Sequence, residues 1–286
     1  MPDHIPLRIA LAGEVIGTYL LVLFGTGAVA AAVLTGAQVG LWQVAVVWGF
    51  GITIAIYASA ALSGAHLNPA VSLTFALLRR DDFPLGRLLP YVVAQLTGAV
   101  LASITVATFF SPFLARFEAA KGIIRGQPGS ELSAMVFGDY FPNPAIFGTD
   151  ASARALVSSA QAVFVEGFGT AVLVFVIFAL TARRNTAAPS ANLVPFFIGF
   201  TVAVLISLFA PITQAGWNPA RDFGPRLVSF FLGWGPIAIP GPEGGFWVYI
   251  VGPLIGGPLG GLVWKMIGLE GGPASDVPEE AATDSV

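Results

Sequence analysis

The chain has 286 residues, of which 56% are hydrophobic and only 10% are charged; a soluble domain carries about 25% charged residues, so an ordinary soluble enzyme is disfavoured. The formal charge of −3 provides no basic face for phosphates, and we therefore expect no nucleic-acid partner. Cysteine is absent, and the two histidines, His4 and His66, lie far apart in sequence, so we expect neither a bound metal nor a cofactor.

Six apolar runs are long enough to cross a bilayer, which takes about 20 mostly apolar helical residues. Glu14 is the single charged residue of the first run. That run is too long and too weakly basic at its start to be a cleavable signal peptide. The sequence therefore predicts an all-α membrane protein with six transmembrane helices. Their approximate ranges are 9–34, 40–60, 87–110, 155–182, 193–212 and 246–267.

Two shorter apolar stretches, 69–78 and 219–232, each begin at an Asn-Pro-Ala sequence and cannot span a bilayer. Asn is a strong N-cap, and Pro suits the first turn of a helix. Each stretch therefore reads as a re-entrant half-helix. The strings that precede them, 63–67 and 213–217, are then non-helical backbone, which is tolerated at membrane depth only when it is buried in protein or lines a wet cavity. The two motifs comprise Asn68, Pro69 and Ala70, and Asn218, Pro219 and Ala220.

The two halves of the chain resemble each other weakly. The strings that begin at Glu14 and Glu166 match at an offset of 152, and Gly49-Phe50 matches Gly199-Phe200 at an offset of 150, as do the two Asn-Pro-Ala motifs. Each half holds three spans, so the halves enter the membrane in opposite directions, as an inverted 3+3 repeat. The positive ends of the two half-helices should then meet near the bilayer midplane.

The basic residues give the expected orientation and boundaries. Those between the second and third spans, between the fourth and fifth, and at the end of the sixth all fall on one side, which marks that side as cytoplasmic. We expect a multi-pass protein of the inner (plasma) membrane with both termini in the cytoplasm. The expected segments are an N-terminal cytoplasmic segment at 1–7, repeat 1 at about 8–112, an external connection at 111–154, repeat 2 at about 155–268, and an acidic, disordered cytoplasmic tail at 269–286.

The strings Ser63-Gly-Ala-His-Leu-Asn-Pro-Ala-Val71 and Gly216-Trp-Asn-Pro-Ala-Arg-Asp-Phe-Gly-Pro225 resemble the two signature loops of the aquaporin, or major intrinsic protein, family. The likeness covers about residues 8–268. It implies a pore through each subunit of a homotetramer in a lipid bilayer. Asp222, Arg226 and Pro253-Leu254 resemble the glycerol-facilitator branch in particular.

The same resemblance assigns a selectivity filter to Trp48, Ile206, Ala215 and Arg221. Water-selective members have a histidine at position 206, and bacterial glycerol facilitators have glycine there and a second aromatic at position 215. The set found here is more similar to that of the plant nodulin-type channels. The sequence therefore leaves the physiological solute open.

Four polar residues near these motifs call for separate interpretation. We expect Glu14 and Glu166 to accept hydrogen bonds from backbone N–H groups of the re-entrant loops, although an acid inside a span is also a candidate functional site. Asp222 is expected to support the loop around Arg221. His66 either lines the cytoplasmic vestibule or serves as a structural imidazole.

The predicted function is a passive channel for small uncharged solutes that excludes ions and protons, and not an enzyme. Glycerol and similar polyols, urea, water and metalloid hydroxides such as arsenous acid are the expected solutes. The alternative is a gradient-coupled transporter of a small neutral solute, since such transporters also use inverted repeats and broken helices. In that case Glu14 or Glu166 would have to bind the coupling ion.

Overall fold

The computed structural model describes residues 5–268, and the regular elements within that range are helices. Six of the eight principal helices are long and apolar enough to cross a membrane, which confirms the six predicted spans. The principal helices are α1 (Leu7–Ala30), α2 (Leu41–Ser63), α3 (Pro69–Leu78), α4 (Leu88–Lys121), α5 (Ser159–Thr181), α6 (Val194–Thr213), α7 (Pro219–Ser229) and α8 (Val248–Met266). The expected tail at 269–286 lies outside the described residues.

The two short helices, α3 and α7, are the half-helices expected from the Asn-Pro-Ala motifs. Each has an asparagine as its N-cap: the side chain of Asn68 accepts from the Ala70 N–H, and that of Asn218 accepts from the N–H groups of Ala220 and Arg221. Pro at the first helical position lacks an N–H where none is needed. The motifs therefore start both half-helices as predicted, and a π-helical turn over Phe230–Trp234 directly continues α7 beyond Ser229.

The fourth helix is longer than its apolar run. It continues from the expected end near residue 110 to Lys121, because residues 113–121 are mostly good helix formers. Gly122, in the left-handed conformation with φ 65°, terminates it. The connection expected at 111–154 therefore begins only after Lys121. It contains three single-turn helices, at Glu131–Ala134, Pro144–Phe147 and Ala151–Arg154.

Close helix crossings relate the two halves. Helices α2 and α6 cross at Gly49 and Gly199, where a Cβ on Gly49 would lie 2.8 Å from the Gly199 carbonyl oxygen. These two glycines are one of the matching pairs of the repeat. Small residues let helix backbones approach closely in a membrane protein, so the crossing fixes α2 against α6 and brings the two halves around a common centre.

Candidate pore and selectivity filter

The two half-helices meet at their N-terminal ends, and the two capping asparagines join them. Asn68 donates its side-chain N–H to the carbonyl oxygen of Trp217 at 2.9 Å, and Asn218 donates to that of Leu67 at 2.8 Å. A primary amide has two N–H groups and a carbonyl oxygen. Each asparagine uses the oxygen as a cap and one N–H as this cross-link, which leaves one N–H for a molecule beside it.

The loops leading into both half-helices have the same unusual backbone. Ala65 and Leu67 in the first loop, and Ala215 and Trp217 in the second, have φ angles of 52°, 52°, 67° and 47°. Residues other than glycine seldom adopt this left-handed region, and each such residue costs on the order of 1–3 kcal/mol. Both loops are therefore strained at positions that match at an offset of 150 residues. Contacts from outside the loops have to stabilise this backbone.

Two buried carboxylates hold these loops by their N–H groups. Glu14 accepts from the backbone N–H of His66 at 2.9 Å and of Leu67 at 2.8 Å, and also from the side chain of Gln95 at 2.7 Å. Glu166 accepts from the N–H groups of residues 216 and 217 at 3.0 and 2.7 Å. Hydrogen bonds to an ionised acceptor are about twice as strong as neutral ones, so each carboxylate fixes the direction of the neighbouring loop carbonyls.

A cavity of about 570 Å³ follows these loops. It begins at the ends of α3 and α5, where Arg79, Asp82 and Arg183 line it, and most of its wall is apolar. It brings together the four residues predicted to form the filter and both motif asparagines. The predicted residues that line it are Trp48, His66, Asn68, Ile206, Ala215, Asn218 and Arg221.

The guanidinium of Arg221 is fixed between an acid and an aromatic ring. Its Nη1 lies 2.6 Å from Oδ2 of Asp139, and its Cζ lies 4.5 Å from the ring centroid of Trp48. Arg221 is 5% exposed and Asp139 is fully buried. A buried guanidinium needs a partner of opposite charge, and here the partner comes from the connection between α4 and α5.

Asp222 contacts Arg226 and the external connection, although it is adjacent in sequence to Arg221. Its Oδ2 accepts from Nε of Arg226 at 2.6 Å, and its Oδ1 accepts from the backbone N–H of Asp139 at 2.7 Å. The carbonyl oxygen of Asp139 also accepts from Arg226. Asp222 thus anchors the external connection beside the filter and acts on Arg221 only through Asp139.

Asp139 is not among the site residues predicted from the sequence. Its available signal was its place immediately before Tyr140-Phe-Pro-Asn-Pro144, a string that resembles the external loop of bacterial glycerol facilitators. Burial raises the pKa of Asp139 to about 7 against the opposing effect of the nearby Arg221 guanidinium. This carboxyl is therefore both close to the filter and easy to protonate.

His66 lines the cavity and is also packed into the protein. Its Nδ1 lies 3.1 Å from Oγ of Ser72, and its ring lies within 5.5 Å, centroid to centroid, of the rings of Phe75, Phe83 and Tyr91. The two interpretations left open by the sequence are thus compatible, because one edge of the imidazole reaches the cavity while the ring is held by its neighbours.

Comparison with known proteins places this architecture in a family. The family model described as "Major intrinsic protein" matches residues 4–264. The glycerol uptake facilitator protein of Pseudomonas aeruginosa is 42% identical over 276 residues, which cover 96% of this chain and 93% of the relative. The propanediol uptake facilitator of Salmonella typhimurium is 37% identical over 91% of this chain and 93% of the relative.

The X-ray structure of the aquaglyceroporin from Plasmodium falciparum aligns with a TM-score of 0.76 at 25% identity, covering 92% of this chain and 97% of that chain. The chain belongs to the major intrinsic protein family.

Proposed function

We propose that this protein is a passive channel for small uncharged solutes, with glycerol and related polyols as its main class and with urea and water also conducted. The observation that carries the proposal is the cavity that passes both motif asparagines and ends at Trp48 and Arg221. The names of the relatives, which are glycerol and propanediol uptake facilitators, support polyols as the solute class.

The lining of the cavity suits a molecule with one polar and one apolar edge. Loop carbonyls and the N–H groups of Arg221, Asn68 and Asn218 can replace the water around hydroxyl groups, while the side chains of Ile206 and Trp48 face carbon. A polyol thereby loses its hydration without leaving its hydroxyls unpaired. A purely apolar solute gains nothing from the polar groups.

Cations and protons are rejected by the positive charges at the centre. The N-terminal ends of α3 and α7 each carry a partial positive charge and point at one another. Cations meet these ends without a ring of acids to replace their water. The asparagine N–H groups orient a central water as an acceptor, which interrupts a uniformly directed chain of waters.

The environments of Glu14 and Glu166 argue against the coupled transporter. Both carboxylates already accept two backbone N–H groups and are fully buried. An ion-coupling acid has to exchange its ion with solvent during each cycle. We therefore infer movement down the solute gradient, with no chemical step.

Stopped-flow light scattering of proteoliposomes tests the proposal. Vesicles with the channel should equilibrate glycerol and urea faster than empty vesicles of the same lipid. An Arg221→Ala channel should retain solute flux but lose discrimination between polyols and cations, because the filter then lacks its positive charge. Equal rates with and without the protein in every solute would contradict the proposal.

Ala215 favours a second solute class. An alanine where facilitators of the resembled branch carry an aromatic side chain leaves one wall of the filter open, so undissociated metalloid hydroxides such as arsenous acid should also enter. Cells with the channel should take up arsenous acid faster than cells with an Ala215→Phe channel. Equal uptake would contradict this assignment.

We further propose a homotetramer in the plasma membrane with both termini in the cytoplasm. Exposed aromatic side chains on α2, α5 and α6, such as Phe50, Phe164 and Phe200, offer apolar contact for neighbouring subunits or lipid. Chemical cross-linking in native membranes should yield four-subunit products, and tags at both termini should react only after the membrane is permeabilised.

A further inference from the structure

The positive charges of the pore explain the rejection of cations, but they pose a question about anions. Two helix N-terminal ends and the Arg221 guanidinium all face the cavity, and each is the kind of group that binds small anions in proteins. A filter with these charges alone would attract nitrate, formate or chloride. A negative charge close to Arg221 would weaken this attraction and favour uncharged solutes.

Asp139 is placed to supply that charge. Its Oδ2 lies 2.6 Å from Nη1 of Arg221, and its side chain has no exposed surface. Within the described part of the chain, Arg221 is the one cationic group that forms an ion pair with the Asp139 carboxylate. At this separation, and at the effective dielectric constant of about 20 that suits protein sites, two unit charges interact by several times the thermal energy.

The other charged groups around Asp139 have their own partners. Arg226 and Asp222 of α7 form a pair at 2.6 Å, and Glu166 of α5 accepts from two backbone N–H groups. The hydroxyl groups of Tyr140, in the same connection, and Tyr249 of α8 also lie near these acids. Among the described residues, Asp139 is the acid paired with Arg221, so the net charge of the filter depends on this pair.

We propose that Asp139 is a specificity-determining residue that keeps small anions out of the filter by cancelling the charge of Arg221. This inference rests on the proposed channel function. It adds a residue outside both signature motifs, contributed by the external connection, and it explains why the chain buries an acid directly against its filter.

The test measures nitrate entry and glycerol entry in the same proteoliposomes, with a potassium diffusion potential set by valinomycin. Asp139→Asn removes the charge with little change in shape, and Asp139→Glu retains it. Glu131→Gln is the matched control, since Glu131 is a buried acid of the same connection whose ion-pair partner, Arg154, lies 3.6 Å away and outside the cavity lining. The double variant Asp139→Asn/Arg221→Gln removes both charges.

At a pH of about 8.5, where Asp139 is ionised, the expected result is nitrate permeability at least about tenfold above wild type for Asp139→Asn, because the filter then loses the negative charge that offsets Arg221 at contact distance. Asp139→Glu and Glu131→Gln should match wild type, and the double variant should return toward it, which a merely structural role of Asp139 would not produce. Nitrate entry in Asp139→Asn equal to wild type would overturn the inference, and so would equal leakage in the single and double variants. A failure of the proposed function would show separately, as glycerol entry no faster than in empty vesicles for wild type.

Discussion

The position of the Trp48 indole depends on a glycine in the first helix. Gly25 of α1 has no side chain, and a Cβ built there would overlap three carbons of the Trp48 ring. The Cζ atom of Arg221 lies 4.5 Å from the centroid of the same ring. We predict that Gly25→Ala displaces the indole and changes the filter without altering any residue that lines it.

The structure gives the size of this effect. Van der Waals contact between carbon atoms needs about 3.5–4.0 Å, so the indole has to move away from α1 by roughly 1 Å or more. Overpacking of this kind costs about 1–3 kcal/mol. If that energy appears in the barrier at the filter, where about 1.4 kcal/mol is a factor of ten in rate, glycerol flux falls between about fivefold and about a hundredfold.

Gly27 provides the control, two residues further along the same helix. A Cβ at Gly27 meets no heavy atom within 4 Å, so Gly27→Ala gains the helix propensity of alanine, about 1 kcal/mol, without touching Trp48. Stopped-flow glycerol flux should fall in Gly25→Ala and remain at the wild-type value in Gly27→Ala. Equal flux in the two variants would refute the reasoning, because glycerol flux would then not depend on the position of the Trp48 indole.

Three further predictions follow from the same contacts. Because burial raises the pKa of Asp139 to about 7, Asp139 becomes neutral as the external pH falls from about 8.5 to about 5.5; nitrate permeability of the wild type should rise over that range, and that of Asp139→Asn should stay constant. Glu166→Gln leaves one of two buried N–H groups without an acceptor, so the unfolding free energy should drop by about 1–3 kcal/mol, measurable as a lower thermal unfolding temperature in detergent. Ala215→Phe fills the open wall of the filter and should reduce glycerol flux more than water flux in stopped-flow measurements.

The sequence allowed the architecture to be predicted because its signals are periodic and repeated. Six apolar runs gave the spans, and Asn68 and Asn218 gave the starts of both half-helices, since capping depends on residues within one turn. The matching offsets of Glu14 and Glu166 indicated that the two acids have equivalent places. These inferences need only local chemistry and the inverted symmetry of the halves.

The contacts around Arg221 could not be predicted in the same way. Asp139 precedes Arg221 by 82 residues in a connection without periodic pattern, and its place before Tyr140-Phe-Pro-Asn-Pro144 does not indicate which residue it contacts. Asp222 is adjacent in sequence to Arg221, but successive residues on a helix point in different directions. Asp222 therefore reaches Arg226, four residues on, and leaves Arg221 to the external connection.

The packing of the Trp48 indole against α1 could not be predicted from the sequence either. The resemblance assigned Trp48 to the filter, but it gave no reason why α1 has a glycine at position 25. That reason is a close approach between α1 and α2, which appears only when both helices are in place. The end of α4 was missed for a simpler cause, because helix-forming polar residues extended it beyond the apolar run.

The central claim is that solute crosses passively through the cavity at Asn68 and Asn218. Labelled glycerol entry into proteoliposomes under an imposed proton or sodium gradient tests it most directly. A passive channel should give entry faster than in empty vesicles, unchanged by either gradient, with an internal concentration that stops at the external value. Accumulation above the external concentration, or entry no faster than in empty vesicles, would contradict it.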